Sequence, residues 1–301
     1  MKKIRTIFMG TPDFAINVFK ELMNLSEVVC VVTKPDALVG RKKVLTPSPI
    51  KKLALENNIT VLTPEKLKSE YQSILDYEPD LIITCAYGKI LPKEILNYPK
   101  YGCINIHASI LPKYRGSAPM QWAIMNGEDE VGVTLMYMDE GMDTGDIIDI
   151  EKINITLEDD IGTVHDKMSI LGAKVLNKNF NNIINNDITR IKQNDKEATL
   201  APMITREMEN IDFSNTGENI INKIRAFSPW PLTRTMINEE EIKILKAHFR
   251  EKNNPEPGKL IITTNELGVE CSNGVIYLDI IKPVGKKEMN IKSYLNGLKN
   301  K

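Results

Sequence analysis

Strand-like and helix-like segments alternate along the first half of the chain, and this pattern limits the fold more than any other feature of the sequence. Short apolar runs, each typical of a buried strand, occupy 4–9, 28–33, 59–62, 81–86 and 103–107. Segments with helical spacing follow the first three of them, at 14–23, 50–57 and 64–75. A chain with this alternation forms a parallel sheet flanked by helices. We therefore predict an α/β domain with a doubly wound, mostly parallel sheet, completed by helices over 118–125 and 160–184 and strands over 131–138 and 146–155.

The last third of the chain has a different pattern, in which one helix over 217–226 precedes a series of short alternating runs. These runs, at 233–237, 241–249, 259–263, 268–271 and 275–283, predict a small, OB-like β-barrel. The polar stretch 185–199 before them has no glycine and no clear periodicity, which indicates a connection. We therefore predict an α/β domain over 1–188, a linker over 189–205 and a C-terminal β-barrel over 206–301. A length of 301 residues agrees with two domains.

Composition excludes several classes of protein. Apolar residues make up 42% of the chain, and no window approaches the ~18 consecutive apolar residues of a membrane span. The basic start 1–5 leads directly into a strand pattern and not into a signal peptide, so we expect a cytoplasmic protein without membrane association. Cys30, Cys85, Cys103 and Cys271 form no C-x-x-C pair or His-Cys cluster, which predicts reduced thiols and no metal site. The net charge of −1 argues against a uniformly basic surface for nucleic acid but allows a local patch.

Two polar residues interrupt the apolar strand pattern at 103–107. Asn105 and His107 are two positions apart, so at the end of a strand their side chains would project from one face while Ile106 turns to the core. A buried strand gains nothing from a lone asparagine. Ligands of open α/β sheets bind beyond the carboxyl ends of strands, where His107 would lie. We predict that Asn105 and His107 are catalytic, the alternative being that the histidine is an ordinary structural residue.

Asp143 would add a carboxylate to this amide and imidazole, a combination that suits acyl transfer to an amine. The tetrahedral intermediate of that reaction carries negative charge on oxygen, to which Asn105 and a protonated His107 could donate hydrogen bonds. Asp143 could stabilise the charged imidazolium or take the amine proton through an ordered water. The sequence leaves both roles open. The segment 141–146 also has the composition of a tight turn, so a purely structural Asp143 is the alternative.

The connection 33–49 is basic, and at about 16 residues it is longer than most connections between elements. Arg41, Lys42 and Lys43 are consecutive in it, which predicts a loop that contacts phosphates; the alternative is a flexible, solvated excursion. The turn 10–13 after the first strand contains a single glycine, so the dinucleotide-binding fingerprint is absent and no NAD or FAD site is expected.

Motifs along nearly the full chain resemble those of the methionyl-tRNA formyltransferases. They are FMGTPDF at 8–14, TPSP at 46–49, AYGKILP at 86–92, NIHASILP at 105–112, RGSAP at 115–119 and RAFSPWP at 225–231. The resemblance implies that 10-formyltetrahydrofolate is the formyl donor and that the free amino group of methionyl initiator tRNA is the acceptor. It therefore implies a role in translation initiation. The sequence gives no sign of a metal or of an obligate protein partner.

The same resemblance implies roles for individual residues. Asn105, His107 and Asp143 match the family's catalytic amide, imidazole and carboxylate. The segment that lines the folate site is matched by four consecutive residues, Ser109, Ile110, Leu111 and Pro112, with Ile110 where leucine is more usual. The element that enters the tRNA acceptor arm is matched by Arg41, Lys42 and Lys43, although 37–39 replaces a more basic stretch of some members.

Two other functions fit part of the pattern. Glycinamide ribonucleotide transformylase, formyltetrahydrofolate hydrolase and sugar-nucleotide formyltransferases share the formyl-transfer core, so a small amine is an alternative acceptor. The C-terminal barrel would then have no clear task, and deletion from about residue 206 onward should spare activity. A non-catalytic folate- or RNA-binding protein on the same scaffold gives no reason to retain all three polar groups.

Overall fold

Residues 3–40 and 42–299 are described by the computed structural model of the protein. They divide into two units. The first extends to Pro119 and includes Val131–Ile153 and His165–Pro202, and the second consists of Met120–Glu130, Asn154–Val164 and the chain from Met203 onward. The domains expected from the sequence, 1–188 and 206–301 with a linker over 189–205, remain a prediction.

A mostly parallel sheet forms the centre of the first unit. The strands of this part of the chain are β1 (Arg5–Gly10), β2 (Glu27–Val32), β3 (Ala37–Val39), β4 (Val44–Thr46), β5 (Val61–Leu62), β6 (Leu81–Cys85), β7 (Cys103–His107), β8 (Glu130–Tyr137) and β9 (Ile147–Asn154). All except β3 and β4 form one sheet in the order β5-β2-β1-β6-β7-β8-β9. The first five of these run parallel, and β8 runs antiparallel to β7. The predicted α/β class with a mostly parallel sheet is confirmed.

Helices lie between these strands. They are α1 (Ile16–Leu25), α2 (Pro49–Glu56), α3 (Leu67–Glu70), α4 (Gln72–Leu75), α5 (Lys93–Leu96), α6 (Pro119–Met125) and α7 (Ile161–Ile184). The start of α2 is set by Ser48, whose side chain accepts a hydrogen bond from the Lys51 amide, and by Pro49 at the first helical position. Every residue of β6 is buried, as expected for a central strand covered on both faces.

The part of the second unit from Met203 onward contains an antiparallel sheet with two α-helices in its described residues. Its elements are α8 (Gly217–Phe227), β10 (Thr233–Ile237), β11 (Glu240–Glu251), β12 (Leu260–Ile262), β13 (Leu267–Cys271), β14 (Gly274–Pro283), β15 (Met289–Asn290) and α9 (Ile291–Lys299). The strand order is β10-β11-β14-β13-β12, with β15 beside β14. Ile220 and Ile224 of α8 share a core with Leu295 of α9 and the inner face of the sheet. The predicted C-terminal barrel is present as an open, antiparallel half-barrel in this part of the structure.

The segment after α7 is tied to the first unit. Ile191 forms a bridge with Ile147, the Arg115 amide donates to the Thr199 carbonyl, and the Ala201 amide donates to the Arg115 carbonyl. These bonds fix the course of the chain up to Pro202. Within the described ranges, no helix is both long enough and apolar enough to cross a membrane.

Candidate active site

The order of strands reverses between β1 and β6, and the carboxyl end of β7 lies beside that of β6. From β1 the chain moves outward to β2 and β5, and then returns to β6 on the other side of β1. Open α/β sheets bind ligands in the crevice at such a switch point. The register pairs Thr84 with Asn105 and Cys85 with Ile106, so His107 lies just beyond the last paired position.

Asn105 is half-buried on β7, and its amide is oriented by a neighbouring hydroxyl. Thr84 Oγ1 lies 2.8 Å from Asn105 Oδ1, and because an amide oxygen only accepts, the hydroxyl is the donor. The donor end of the amide, Nδ2, is therefore directed away from Thr84. Thr84 is not among the site residues predicted from the sequence, where its signal is a hydroxyl residue in the otherwise apolar run of β6.

His107 is buried and has a defined ring orientation. Its Nε2 lies 3.0 Å from the Tyr114 carbonyl oxygen, so Nε2 must carry a hydrogen. Nδ1 is then the ring nitrogen that faces Asp143, with 3.7 Å between Nδ1 and Asp143 Oδ1. This separation is longer than an ordinary hydrogen bond but suits an ion pair or one bridging water. The structure thus brings the predicted imidazole and carboxylate together.

Asp143 follows β8 in a backbone conformation that is unusual for a residue with a side chain. Its φ is 56°, in the left-handed region that aspartate tolerates better than most residues. Its Oδ2 accepts a hydrogen bond of 2.9 Å from the Gly116 amide. Gly116 has φ +123°, and a Cβ there would lie 2.8 Å from the Ala201 carbonyl oxygen, so only glycine can present its N–H at this point.

The proposed folate-lining residues form a segment that β8 holds in place. The Thr134 hydroxyl donates to the Ser109 carbonyl at 2.6 Å and accepts from the Leu111 amide at 3.1 Å. Ser109 and Leu111 are buried, while Ile110 and Pro112 remain half-exposed. Thr134 is paired with His107 across β7 and β8, which places the segment beside the catalytic candidates. Thr134 is not among the site residues predicted from the sequence, because only its position across the strands reveals this contact.

The basic connection 33–49 contains a short antiparallel hairpin made of β3 and β4. Four apolar side chains are more than half exposed along it: Leu38, Val39, Val44 and Leu45. Lys42 and Lys43 are exposed at its turn. Arg41, the third predicted contact with phosphate, lies outside the described residues. At the base of the hairpin, Lys51 Nζ forms an ion pair of 2.8 Å with Asp36 Oδ1.

The four cysteines are buried, and an open groove lies apart from the candidate site. Cys30, Cys85, Cys103 and Cys271 are buried and unpaired, and burial raises the pKa of the Cys30 and Cys103 thiols to about 12. No group of three or more metal-ligating side chains occurs in residues 3–40 and 42–299. An open groove of about 440 Å³ lies between α1 and α7, away from the residues above. It is lined by Asn17, Lys20, Glu21, Ile170, Ala173, Lys174, Asn177 and Lys178.

Comparison with known proteins agrees with this architecture over both halves of the chain. The family described as "Formyl transferase" matches residues 2–180, and "Formyl transferase, C-terminal domain" matches 203–299. A methionyl-tRNA formyltransferase of Staphylococcus epidermidis is 47% identical over 302 residues, which cover 99% of this chain and 97% of that protein. One from Bacillus subtilis is 44% identical over 300 residues, covering 97% and 94%.

A solved structure supports the fold independently of close sequence similarity. The N-formyltransferase from Helicobacter canadensis, in complex with folinic acid and dTDP-3-aminofucose, has a TM-score of 0.67 at 24% identity and covers 96% of this chain and 100% of that one. At this identity the likeness shows a shared fold. Together with the family matches and the close relatives, it establishes that the chain belongs to the formyl transferase family, as one of the methionyl-tRNA formyltransferases.

Proposed function

We propose that this protein transfers the formyl group of 10-formyltetrahydrofolate to the free amino group of methionyl initiator tRNA and so supports translation initiation in the cytoplasm. The observation that carries the proposal is the approach of His107 Nδ1 to Asp143 Oδ1, 3.7 Å apart, at the strand end that also presents Asn105. Membership of the family supplies the reaction class. The geometry indicates how the side chains of this chain would perform it.

Attack of the amine on the formyl carbon places negative charge on the formyl oxygen, which needs hydrogen-bond donors. Asn105 supplies Nδ2, because Thr84 occupies the oxygen end of its amide. His107 supplies Nδ1 when protonated, because Nε2 is engaged by the Tyr114 carbonyl. Loss of one such donor typically costs about 3–4 kcal/mol of transition-state stabilisation.

Collapse of the intermediate breaks the bond between the formyl carbon and N10 of the folate, which takes up a proton and leaves as tetrahydrofolate, and the amine must lose a proton during transfer. Asp143 Oδ2 is engaged by the Gly116 amide, which leaves Oδ1 as the oxygen that faces His107. From there the carboxylate stabilises the imidazolium, or accepts the amine proton through one water. Both roles require the carboxylate to be ionised and held at this distance.

The formyl donor is proposed to bind along Ser109, Ile110, Leu111 and Pro112. This segment is fixed by Thr134, so the half-exposed side chains of Ile110 and Pro112 offer a rigid apolar surface to a flat ring. Bonds that are already made in the free protein reduce the conformational freedom lost on binding.

The tRNA is proposed to contact the β3–β4 hairpin through Arg41, Lys42 and Lys43, with the second unit as a further tRNA-binding region. Adjacent cations at an exposed turn suit phosphate contacts, which position nucleic acid without reading its sequence. A long polyanion carrying its amine at one end requires a phosphate-binding surface apart from the reacting carbon, and an exposed hairpin provides one.

The experiment that tests the proposal uses a labelled formyl donor. The protein is incubated with 10-formyltetrahydrofolate, labelled in the formyl group, and with methionyl initiator tRNA, glycinamide ribonucleotide, an amino-sugar nucleotide or water alone. We expect the label on the tRNA. Faster transfer to a small amine, or hydrolysis that tRNA does not accelerate, would overturn the proposal.

A further inference from the structure

Gln193 lies outside every motif that points to the reaction, yet its side chain contacts the backbone of 138–146, the connection between β8 and β9, called here the Asp143 loop. We propose that Gln193 is a positioning residue, which holds Asp143 so that its carboxylate faces His107. The inference deepens the proposed function and rests on it. Its basis is a set of hydrogen bonds that uses the whole side-chain amide.

The amide of Gln193 makes four hydrogen bonds within the first unit. Its Nε2 donates to the carbonyl oxygens of Asp143 at 2.9 Å and Gly145 at 2.8 Å. Its Oε1 accepts from Arg115 Nε at 3.1 Å and Nη2 at 2.8 Å. A guanidinium only donates and a carbonyl only accepts, so a single orientation of the amide satisfies all four contacts. Arg115 therefore fixes Gln193 in its orientation, and Gln193 in turn holds the loop.

The Asp143 loop needs such a restraint. Asp143 has φ 56°, a conformation that costs energy for any residue with a Cβ and persists where surrounding bonds determine it. Two residues later, a Cβ on Gly145 would lie 1.9 Å from the Tyr137 carbonyl oxygen, so the loop passes tightly against β8. Gly116 holds the carboxylate end of Asp143 and Gln193 holds its carbonyl end.

Arg115 connects this restraint to the segment after α7. Its guanidinium is buried and also pairs with Asp195 at 2.8 Å. Its backbone exchanges hydrogen bonds with Thr199 and Ala201. The segment expected from the sequence to be a linker thus carries a residue that determines the position of the carboxylate. Loss of the Gln193 bonds frees the Asp143 backbone to relax, which lengthens the distance to His107.

The test replaces Gln193 in the full chain by methionine, which has similar length and no hydrogen-bonding amide. We expect Gln193→Met to lower kcat for tRNA formylation by about 10- to 100-fold, with KM for both substrates changed by less than about 3-fold, because the lost interaction acts on a transition-state group. Gln193→Glu keeps the contact with Arg115 but turns an oxygen toward two carbonyls, so its kcat should fall as well. The matched control is Gln72→Met, since Gln72 is exposed and its side chain donates to Asp76 at 2.9 Å.

A double-mutant cycle separates positioning from a general structural role. In an Asp143→Asn background, measured by single-turnover transfer of labelled formyl, Gln193→Met is expected to change the rate by less than about 3-fold, because the group it positions has already been removed. An equal loss in both backgrounds would overturn the proposal. Failure of the proposed function would appear differently, as absence of tRNA formylation by the unaltered protein.

Discussion

At the scale of single residues, the candidate site is organised by hydrogen bonds in which one partner is an oxygen that can only accept. The Tyr114 carbonyl forces a hydrogen onto His107 Nε2, and the Thr84 hydroxyl directs the Asn105 amide. Each partner is a neighbour of the catalytic candidate and not a candidate itself. The catalytic residue types follow from the chemistry, while their orientation follows from these partners.

Replacement of Thr84 by valine tests whether the Thr84 hydroxyl orients the Asn105 amide. The change keeps the branched shape in β6 and removes the hydroxyl that orients Asn105, so we expect kcat to fall by about 10-fold, equivalent to roughly 1.4 kcal/mol. The measurement is steady-state formylation of tRNA. Thr6→Val is the control, because Thr6 is also fully buried in the sheet but its hydroxyl pairs with Ser26 at 2.7 Å. An unchanged rate in Thr84→Val would show that the hydroxyl is not needed to orient Asn105 for the reaction.

Two buried tyrosines provide a matched test of hydrogen bonding and stability. Burial raises the pKa of both to about 12. The Tyr87 hydroxyl has no partner among the described residues, whereas the Tyr294 hydroxyl donates to Glu240 Oε2 at 3.1 Å. We expect Tyr294→Phe to lower the free energy of unfolding by about 1–2 kcal/mol and Tyr87→Phe to leave it unchanged or raise it by up to about 1 kcal/mol. Denaturant titration of both variants checks the order, and a larger loss for Tyr87→Phe would contradict it.

At the scale of elements, two segments without a predicted helix or strand contain ordered structure. The β3 and β4 strands have three residues each, too few to show a period of two convincingly. The segment after α7 owes its order to hydrogen bonds with Arg115 and Ile147, which lie far away in the sequence. Order of this kind depends on contacts with residues that are distant in the sequence, so the local composition of such a segment predicts only a connection between elements.

The cations at the turn of the β3–β4 hairpin predict how the use of tRNA depends on salt concentration. Combined Lys42→Ala and Lys43→Ala replacement should weaken the use of tRNA and reduce the slope of log kcat/KM against log salt concentration by up to about 2, because each lost phosphate contact removes close to one unit. KM for the formyl donor should not change. Arg41→Ala is expected to act in the same direction.

The control pair for the salt experiment is Lys20→Ala with Lys174→Ala, two exposed lysines on α1 and α7. These changes remove the same charge from another face of the first unit. If the control pair and the hairpin pair reduce the slope equally, the hairpin makes no specific contact with tRNA.

At the scale of the whole molecule, the hydrophobic pattern predicted most of the fold. β7 and β10 have the predicted bounds, and the long α7 begins within one residue of its predicted start. The pattern did not predict the short α5 or the C-terminal α9, and it merged α3 and α4 into one helix over 64–75. Helices of four residues contain too little periodicity to be recognised, and their formation depends on packing.

The candidate site was predictable in its residue types but not in its supporting bonds. Asn105 and His107 stood out because polar residues ended an apolar strand, and Asp143 because a carboxylate completed the chemistry. Thr84, Thr134 and Gln193 are ordinary residues in the sequence. Their contacts depend on strand register and on the return of the chain after α7, which a linear pattern does not contain.

Formyl transfer is proposed to require an ionised carboxylate beside His107, and the replacement of Asp143 tests this requirement. Asn at position 143 can still accept the hydrogen bond from the Gly116 amide, so Asp143→Asn should preserve the loop and the binding of both substrates. Single-turnover transfer of labelled formyl to methionyl initiator tRNA, with both substrates saturating, measures the chemical step directly. We expect a rate at least about 100-fold below that of the unaltered protein. A rate within about 3-fold of it would show that the carboxylate is not part of the reaction.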